Sequence, residues 1–269
     1  MKPNTIKDLS IQIRLSGLSF CILNRSTNTI ERLQHIQNEK KTTPFEVLNQ
    51  LKTIIESNAD FNQEFDSVLC IYQNELSTLV PKSLFNENHL ADYLKFNAKI
   101  LMTDFIDYDT ISINDSVNVY VPLVNVNNYL FERFGSFTYK HASTILIESV
   151  LQNSSKQKTI ELFVNVGNLH FEVIAAKGNE LIFYNTFDYN TKEDFIYYIL
   201  FSIEQLKLSP ETLKINLSGQ IDKDDDLFNI LYKYVRFVDF LEPICNYQFN
   251  IKKQPKGKHN NFILINSFN

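Results

Sequence analysis

Between Leu9 and Leu15 the chain alternates, with Leu9, Ile11, Ile13 and Leu15 apolar and Ser10, Gln12 and Arg14 polar. A period of two predicts a β-strand with one buried face. Ser16-Gly17 then makes a tight turn, because glycine tolerates the positive φ that hairpins need. Leu18 to Leu23 reads as a second strand, Asn24 to Asn28 as a polar turn, and Thr29 to Ile36 as a third strand. Thr43-Pro44 opens a helix, the hydroxyl serving as N-cap and the proline sitting where its missing N–H is no loss. Phe45, Leu48, Leu51, Ile54 and Ile55 follow at helical spacing, and Ser67 to Tyr72 is a short apolar strand.

The same order returns further along. Ile160, Leu162, Val164 and Val166 alternate with Glu161, Phe163 and Asn165, and Gly167-Asn168 makes the turn. Leu169 to Ala175 is a second strand, Lys177-Gly178-Asn179 a turn, and Leu181 to Phe187 a third strand. Thr191 caps a helix with Phe195, Ile196, Ile199, Leu200, Ile203 and Leu206 on its inner side. Leu213 to Leu217 is the following strand, ended by Ser218-Gly219. Strand, turn, strand, turn, strand, helix, strand occurs twice, with the same apolar parity in the first strand. The repetition predicts a duplicated βββαβ unit in an α/β fold with mixed sheets.

Between the copies the pattern predicts a helix over 87–97, a hairpin from Phe105-Ile106 through Asn118 to Val121, a helix from Asn127 to Phe134, a short extended piece over 135–139, and a helix from His141 to Leu151. A polar loop over 153–158 precedes the second copy. After Gly219 come an acidic loop, a helix from Asp226 to Val235, a strand from Phe237 to Phe240, a basic loop and a final strand from Phe262 to Ile265. The boundary falls near residue 140, giving lobes 1–140 and 141–269.

Composition narrows the class. The 269 residues suit about two domains, and 44% hydrophobic with 21% charged residues is globular. The net charge of −5 argues against unspecific nucleic-acid binding. Cys21, Cys70 and Cys245 show neither disulfide nor zinc spacing and read as buried free thiols. The segment Met1 to Asp8 lacks the apolar core of a signal peptide, and the most apolar stretch, Phe195 to Ile203, is too short to span a bilayer. These features predict a cytoplasmic chain with no membrane partner.

Two lobes that each begin with a three-strand antiparallel unit, run into a helix and end on a parallel strand resemble the actin-like ATPase superfamily, with its ribonuclease H-like lobes. The whole chain also resembles an uncharacterised bacterial family, a domain of unknown function assigned this fold. The resemblance implies ATP and magnesium between the lobes. The first phosphate hairpin would be Ser16-Gly17, the second would hold Asn165, Gly167 and Asn168, and the adenosine turn would be Leu217-Ser218-Gly219. Active members carry an aspartate at the end of the first strand, another in the second hairpin, and consecutive glycines. Here Ser10 to Gly17 contains no carboxylate, Asn165 stands in the second hairpin, and one glycine follows it. Magnesium needs anionic or strongly polar oxygen ligands, and phosphoryl transfer depends on that electrostatic support.

Other constellations are weaker. Asp222 to Asp226 opens like a calcium loop, but Leu227 stands where glycine is needed and Lys233 where glutamate is needed. His35, His89, His141, His170 and His259 form no ligand pair in sequence, and His170 reads as a strand histidine on a solvated face. The basic run Lys252 to His259 suits a solvated loop, or contact with phosphate, RNA or an acidic partner. In Phe183-Tyr184 and Tyr197-Tyr198 one member of each pair should face outward, as at a protein interface. The expectation is an inactive actin-like domain pair, with no catalytic residue, metal or cofactor, that binds a protein partner. The alternatives are a divergent ATPase or small-molecule kinase drawing carboxylates from Asp188, Asp222 and Asp224, and a ribonuclease H-type nuclease, which also needs strand-borne acids.

Overall fold

Lys7–Arg14 forms β1, which pairs antiparallel with β2 (Gly17–Asn24), itself antiparallel to β3 (Thr29–Gln37). The structure is a computed structural model that describes residues 5–154, 156–251 and 255–269. It divides into two units: residues up to 145 with 245–251 and 267–269, and residues 146–244 with 255–266. In the first unit α1 (Pro44–Ser57) carries the chain over the sheet, so that β4 (Ser67–Tyr72) lies parallel to β1. Thr43 closes a capping box: its hydroxyl accepts from the Glu46 N–H at 3.3 Å, and the Glu46 carboxylate accepts from the Thr43 N–H at 2.8 Å.

β1 departs from its expected one-sided burial. Leu9, Ile11 and Ile13 pack against Val47, Leu51 and Phe61, yet Ser10, Gln12 and Arg14 are buried as well. Ser10 Oγ meets Ser267 Oγ at 2.7 Å, and Gln12 Nε2 donates to Gln73 Oε1 at 2.7 Å. The polar side of the strand is paired within the protein, so alternation recorded polarity and not exposure.

The chain continues through β5 (Ser77–Pro81), α2 (Leu90–Leu94), β6 (Asp107–Ile111) and β7 (Ser116–Tyr120). These strands form an antiparallel sheet in the order β5-β7-β6, over Val80, Leu94, Val117 and Val119. The helix expected over 87–97 is reduced to a single 3₁₀ turn, Glu87–His89, and the five residues of α2. Asn86 takes the Asn88 N–H on its own side chain at 3.0 Å, which favours a tight turn over an extended helix. Then come α3 (Val124–Phe134), β8 (Thr138–His141) parallel to β4, and α4 (Ala142–Ser154).

The second unit repeats the order with β9 (Glu161–Val166), β10 (His170–Lys177), β11 (Glu180–Asp188), α5 (Lys192–Gln205), β12 (Lys214–Gly219), α6 (Asp226–Tyr234) and β13 (Phe237–Phe240). Its sheet runs β11-β10-β9-β12-β13, with β9 antiparallel to β10 and parallel to β12. Leu162, Val164, Ile215 and Leu217 pack against Phe195, Ile199 and Ile203 of α5. Thr191 caps α5 in a second capping box, with Asp194.

β14 (Gln248–Phe249) returns to the first unit parallel to β3, completing the order β14-β3-β2-β1-β4-β8. Phe262 to Ile265, expected as a final strand, is instead the helix α7 (Phe262–Asn266). All four residues are buried, so the run has no polar position from which a period could be read. The Ile265 N–H reaches the Asn261 carbonyl at 2.9 Å, a helical bond.

Candidate functional site

Parallel pairing places Ser218 opposite Asn165 and Gly219 opposite Val166, at the carboxyl ends of β12 and β9. Three of the residues singled out in the sequence therefore meet within the second unit. Asn165 Nδ2 donates to Glu172 Oε2 at 2.9 Å, and Ser218 Oγ donates to Asn165 Oδ1 at 3.0 Å. Gly219 has a φ of +84°, and a Cβ there would strike the Val166 carbonyl and come within 2.9 Å of Asn165 Oδ1. Its N–H donates to the His259 carbonyl at 3.0 Å, and its carbonyl accepts from Asn260 Nδ2 at 3.0 Å. The strand end is thus occupied by the chain's own 257–261 segment. His259 is held there by Nε2, 2.7 Å from the Ile221 carbonyl, and its ring stacks on Phe240 with centroids 4.0 Å apart.

Gly167 and Asn168 lie in the hairpin turn beside this group. The Gly167 N–H donates to the His170 carbonyl at 2.8 Å, and its carbonyl accepts from Tyr189 Oη at 2.9 Å. A Cβ on Gly167 would meet the His170 ring at 2.5 Å. His170 is accordingly not on a solvated face: its side chain is 13% exposed, with Nε2 3.6 Å from Glu172 Oε1. Glu172, 3% exposed, is an acid the sequence reading passed over. Its signal was a lone carboxylate inside an apolar strand.

In the first unit Ser16 and Gly17 form the β1–β2 turn. The Ser16 carbonyl accepts from the Asn38 N–H at 2.9 Å, and the Leu15 carbonyl accepts from both the N–H and the hydroxyl of Thr42, at 2.8 and 2.9 Å. Gly17 has a φ of +150°, and a Cβ would strike the Ile36 carbonyl. Arg14, buried at the end of β1, brings a guanidinium to the strand end, its Nη2 3.4 Å from Ser19 Oγ.

Of the acids considered as alternatives, Asp222 is engaged locally. Asp222 pairs with Lys256 at 3.1 Å, and this carboxylate holds the Lys256 ammonium above its ordinary pKa. The Asp222 N–H donates to Asp225 Oδ2 at 2.7 Å, while Asp188 and Asp224 are exposed. Among the described residues no three His, Cys, Asp or Glu side chains are grouped as a metal site. Among the described residues no helix is long and apolar enough to cross a membrane. Of the basic run, Lys252, Lys253 and Gln254 lie outside the described residues, and Lys258 pairs with Glu242 at 3.6 Å. Tyr197 is 61% exposed, as expected of its pair, whereas Phe183 and Tyr184 are both half-buried.

A buried polar network in the first unit was not anticipated. Asp109 accepts from the His141 N–H at 2.8 Å, Thr144 Oγ1 at 2.7 Å and Tyr120 Oη at 3.1 Å. Burial pushes its carboxyl above the usual range, and these bonds pull it part of the way back. His141 Nδ1 accepts from the Ser143 N–H at 3.2 Å, so the proton sits on Nε2 and donates to the Asn74 carbonyl at 3.2 Å. The network fastens the β6–β7 hairpin to the start of α4. Its residues are scattered from 74 to 144, and no local spacing joins them.

The model of a family described as protein of unknown function, DUF3822, matches residues 2–238. Among solved structures, the chain is similar to a protein with actin-like ATPase fold and unknown function from Bacteroides thetaiotaomicron VPI-5482. That protein is 19% identical, with a TM-score of 0.81 over 98% of this chain and 95% of that one. It is also similar to a chain of the PilM-PilN type IV pilus biogenesis complex, 12% identical, with a TM-score of 0.60 over 93% of this chain and 92% of that one. No curated protein matches. The fold is that of the actin-like ATPases, as the resemblance implied.

Proposed function

The chain belongs to that family of unknown function, and from this premise we propose that it is a non-catalytic actin-like protein that binds a protein partner in the cytoplasm. The observation that carries the reading is that the β9 and β12 strand ends are already engaged by the chain's own groups. In open α/β sheets ligands bind outside the carboxyl ends of the strands. Here Asn165 directs one side-chain N–H to Glu172 and accepts from Ser218, the Gly219 N–H is taken by the His259 carbonyl, and the Gly219 carbonyl accepts from Asn260. Bonds already made inside the protein must be broken before a ligand can use the same groups.

The first unit supports the same reading. Arg14 is a buried cation at the end of β1, and a cation there repels a metal ion instead of holding one. The equal strand order β3-β2-β1-β4 and β11-β10-β9-β12 supports an origin by duplication. A chain of the same fold occurs in the PilM-PilN type IV pilus biogenesis complex, which is compatible with a partner-binding role.

Isothermal titration of the full chain with ATP and magnesium tests the proposal. The expected result is no heat of binding and no released phosphate. Micromolar binding with turnover that Glu172→Gln abolishes would overturn it. Affinity capture from the native cell, with mass-spectrometric identification, then names the partner.

A further inference from the structure

The second unit holds a cavity of about 520 Å³ at the amino ends of β9 and β12, the opposite end of these strands from Asn165 and Gly219. Its volume lies within the range of small-ligand sites. On its floor are Glu161 and Asn216, which are 8% and 4% exposed. Asn216 Nδ2 donates to Glu161 Oε2 at 2.9 Å. A carboxylate only accepts, so this bond fixes which way the Asn216 amide faces. Glu161 Oε1 and Asn216 Oδ1 are left with no hydrogen-bond partner among the described residues. Neither is sealed away as a stranded buried atom. Two acceptors, one of them anionic, thus stand side by side in a largely desolvated place.

A carboxylate oxygen open to a cavity is completed by water or by a cationic donor, and a cation gains the charge-assisted bond. Of the lining charges, Glu242 pairs with Lys258 at 3.6 Å, which leaves Glu161 and Asp239 with Lys156 and Lys214. Lys214 is already engaged with Asp239 at 3.7 Å. Phe163, Leu241 and Ile244 add apolar wall suited to a hydrocarbon stem. A guanidinium prefers both oxygens of one carboxylate, and here one is taken. A primary ammonium, a compact head with three donors, matches a single carboxylate oxygen and a neighbouring amide oxygen.

We propose that this cavity binds a primary ammonium group on an aliphatic stem, with Glu161 Oε1 and Asn216 Oδ1 accepting its protons. Such a group arrives on a free alkyl amine or on a lysine side chain of a protein segment. Isothermal titration of the full chain with 1,5-diaminopentane, with 1,5-pentanediol, and with acetyl-Gly-Lys-Gly amide separates the cases. The diamine or the peptide should bind and the diol should not, and the tighter of the first two identifies the source. Glu161→Gln should weaken binding at least tenfold. Lys214→Glu, at a half-exposed position on the rim, should tighten it several-fold, and that variant does not disturb the floor. Binding of the diol as tight as that of the diamine, no binding by either amine, or an affinity that neither variant changes would overturn the proposal.

Discussion

The N–H of Gly219 donates to the carbonyl of His259 at 3.0 Å, so the last residue of β12 is bonded to the C-terminal segment. Asn260 completes the clasp by donating from Nδ2 to the Gly219 carbonyl at 3.0 Å. A glycine is needed because φ is +84° and a side chain would collide with the backbone of β9. The segment therefore belongs to the packing of the second unit.

Gly219→Ala should destabilise the chain by about 2 kcal/mol or more, from strain at positive φ together with the collision. Asn260→Ala should cost about 1 kcal/mol, the worth of one hydrogen bond. Urea denaturation midpoints at constant m-value check both. Equal midpoints for wild type and Asn260→Ala would show that the clasp does not form.

Asp109 makes stability depend on pH with a definite sign. Its folded pKa is raised by burial, so its stabilising contribution is fully present below the unfolded pKa and is lost as pH rises through the folded value. Asp109→Asn keeps an acceptor for the His141 N–H and cannot ionise. The stability of wild type relative to this variant should fall as pH rises from about 4. Asp109→Ala strands the donors of His141, Thr144 and Tyr120 and should cost about 3 kcal/mol. Denaturation at a series of pH values distinguishes the two.

Thr43→Ala should cost about 1 kcal/mol, the usual worth of a hydroxyl N-cap. The backbone N–H and then the hydroxyl of Thr43 hold the Glu46 carboxyl below its ordinary pKa. Such a group stabilises the fold above its unfolded pKa and loses that effect as pH falls through the folded pKa. The variant should raise the Glu46 pKa part of the way, since the backbone bond remains, as carboxyl NMR titration would record.

Thiol chemistry should sort the three cysteines. Cys21 and Cys70 are buried, and burial pushes the Cys70 thiol up to about 12 and that of Cys21 higher. Cys245 is half-exposed, its Sγ 2.7 Å from Asn269 Oδ1. A thiol-reactive disulfide reagent should modify Cys245 first. Cys21 and Cys70 should follow only at the rate of unfolding, as peptide mass mapping would show.

Much of the framework was legible because its causes are local. Hairpin turns at Ser16-Gly17 and Gly167-Asn168, and N-caps at Thr43 and Thr191, depend on a few adjacent residues and formed where expected. The candidate site was legible only in part. Asn165, Ser218 and Gly219 do come together, but their partners Glu172, His259 and Asn260 are brought to them by the fold, and no local spacing joins them. His170 was misplaced on a solvated face because a polar residue in a strand can equally be buried against a partner, and Glu172 is that partner.

The turns and the residues of each repeated strand-helix set follow from local chemistry, since hydrophobic period, caps and glycine turns act over a few residues. Long-range packing sets what lies on the second face of β1 and β9, coils Phe262 to Ile265 as a helix, and brings Glu161 and Asn216 to present two open acceptors to one cavity. These features are pairings between segments distant along the chain. Which donor meets which acceptor follows from how sheets and helices stack, and no local pattern of residues encodes that choice.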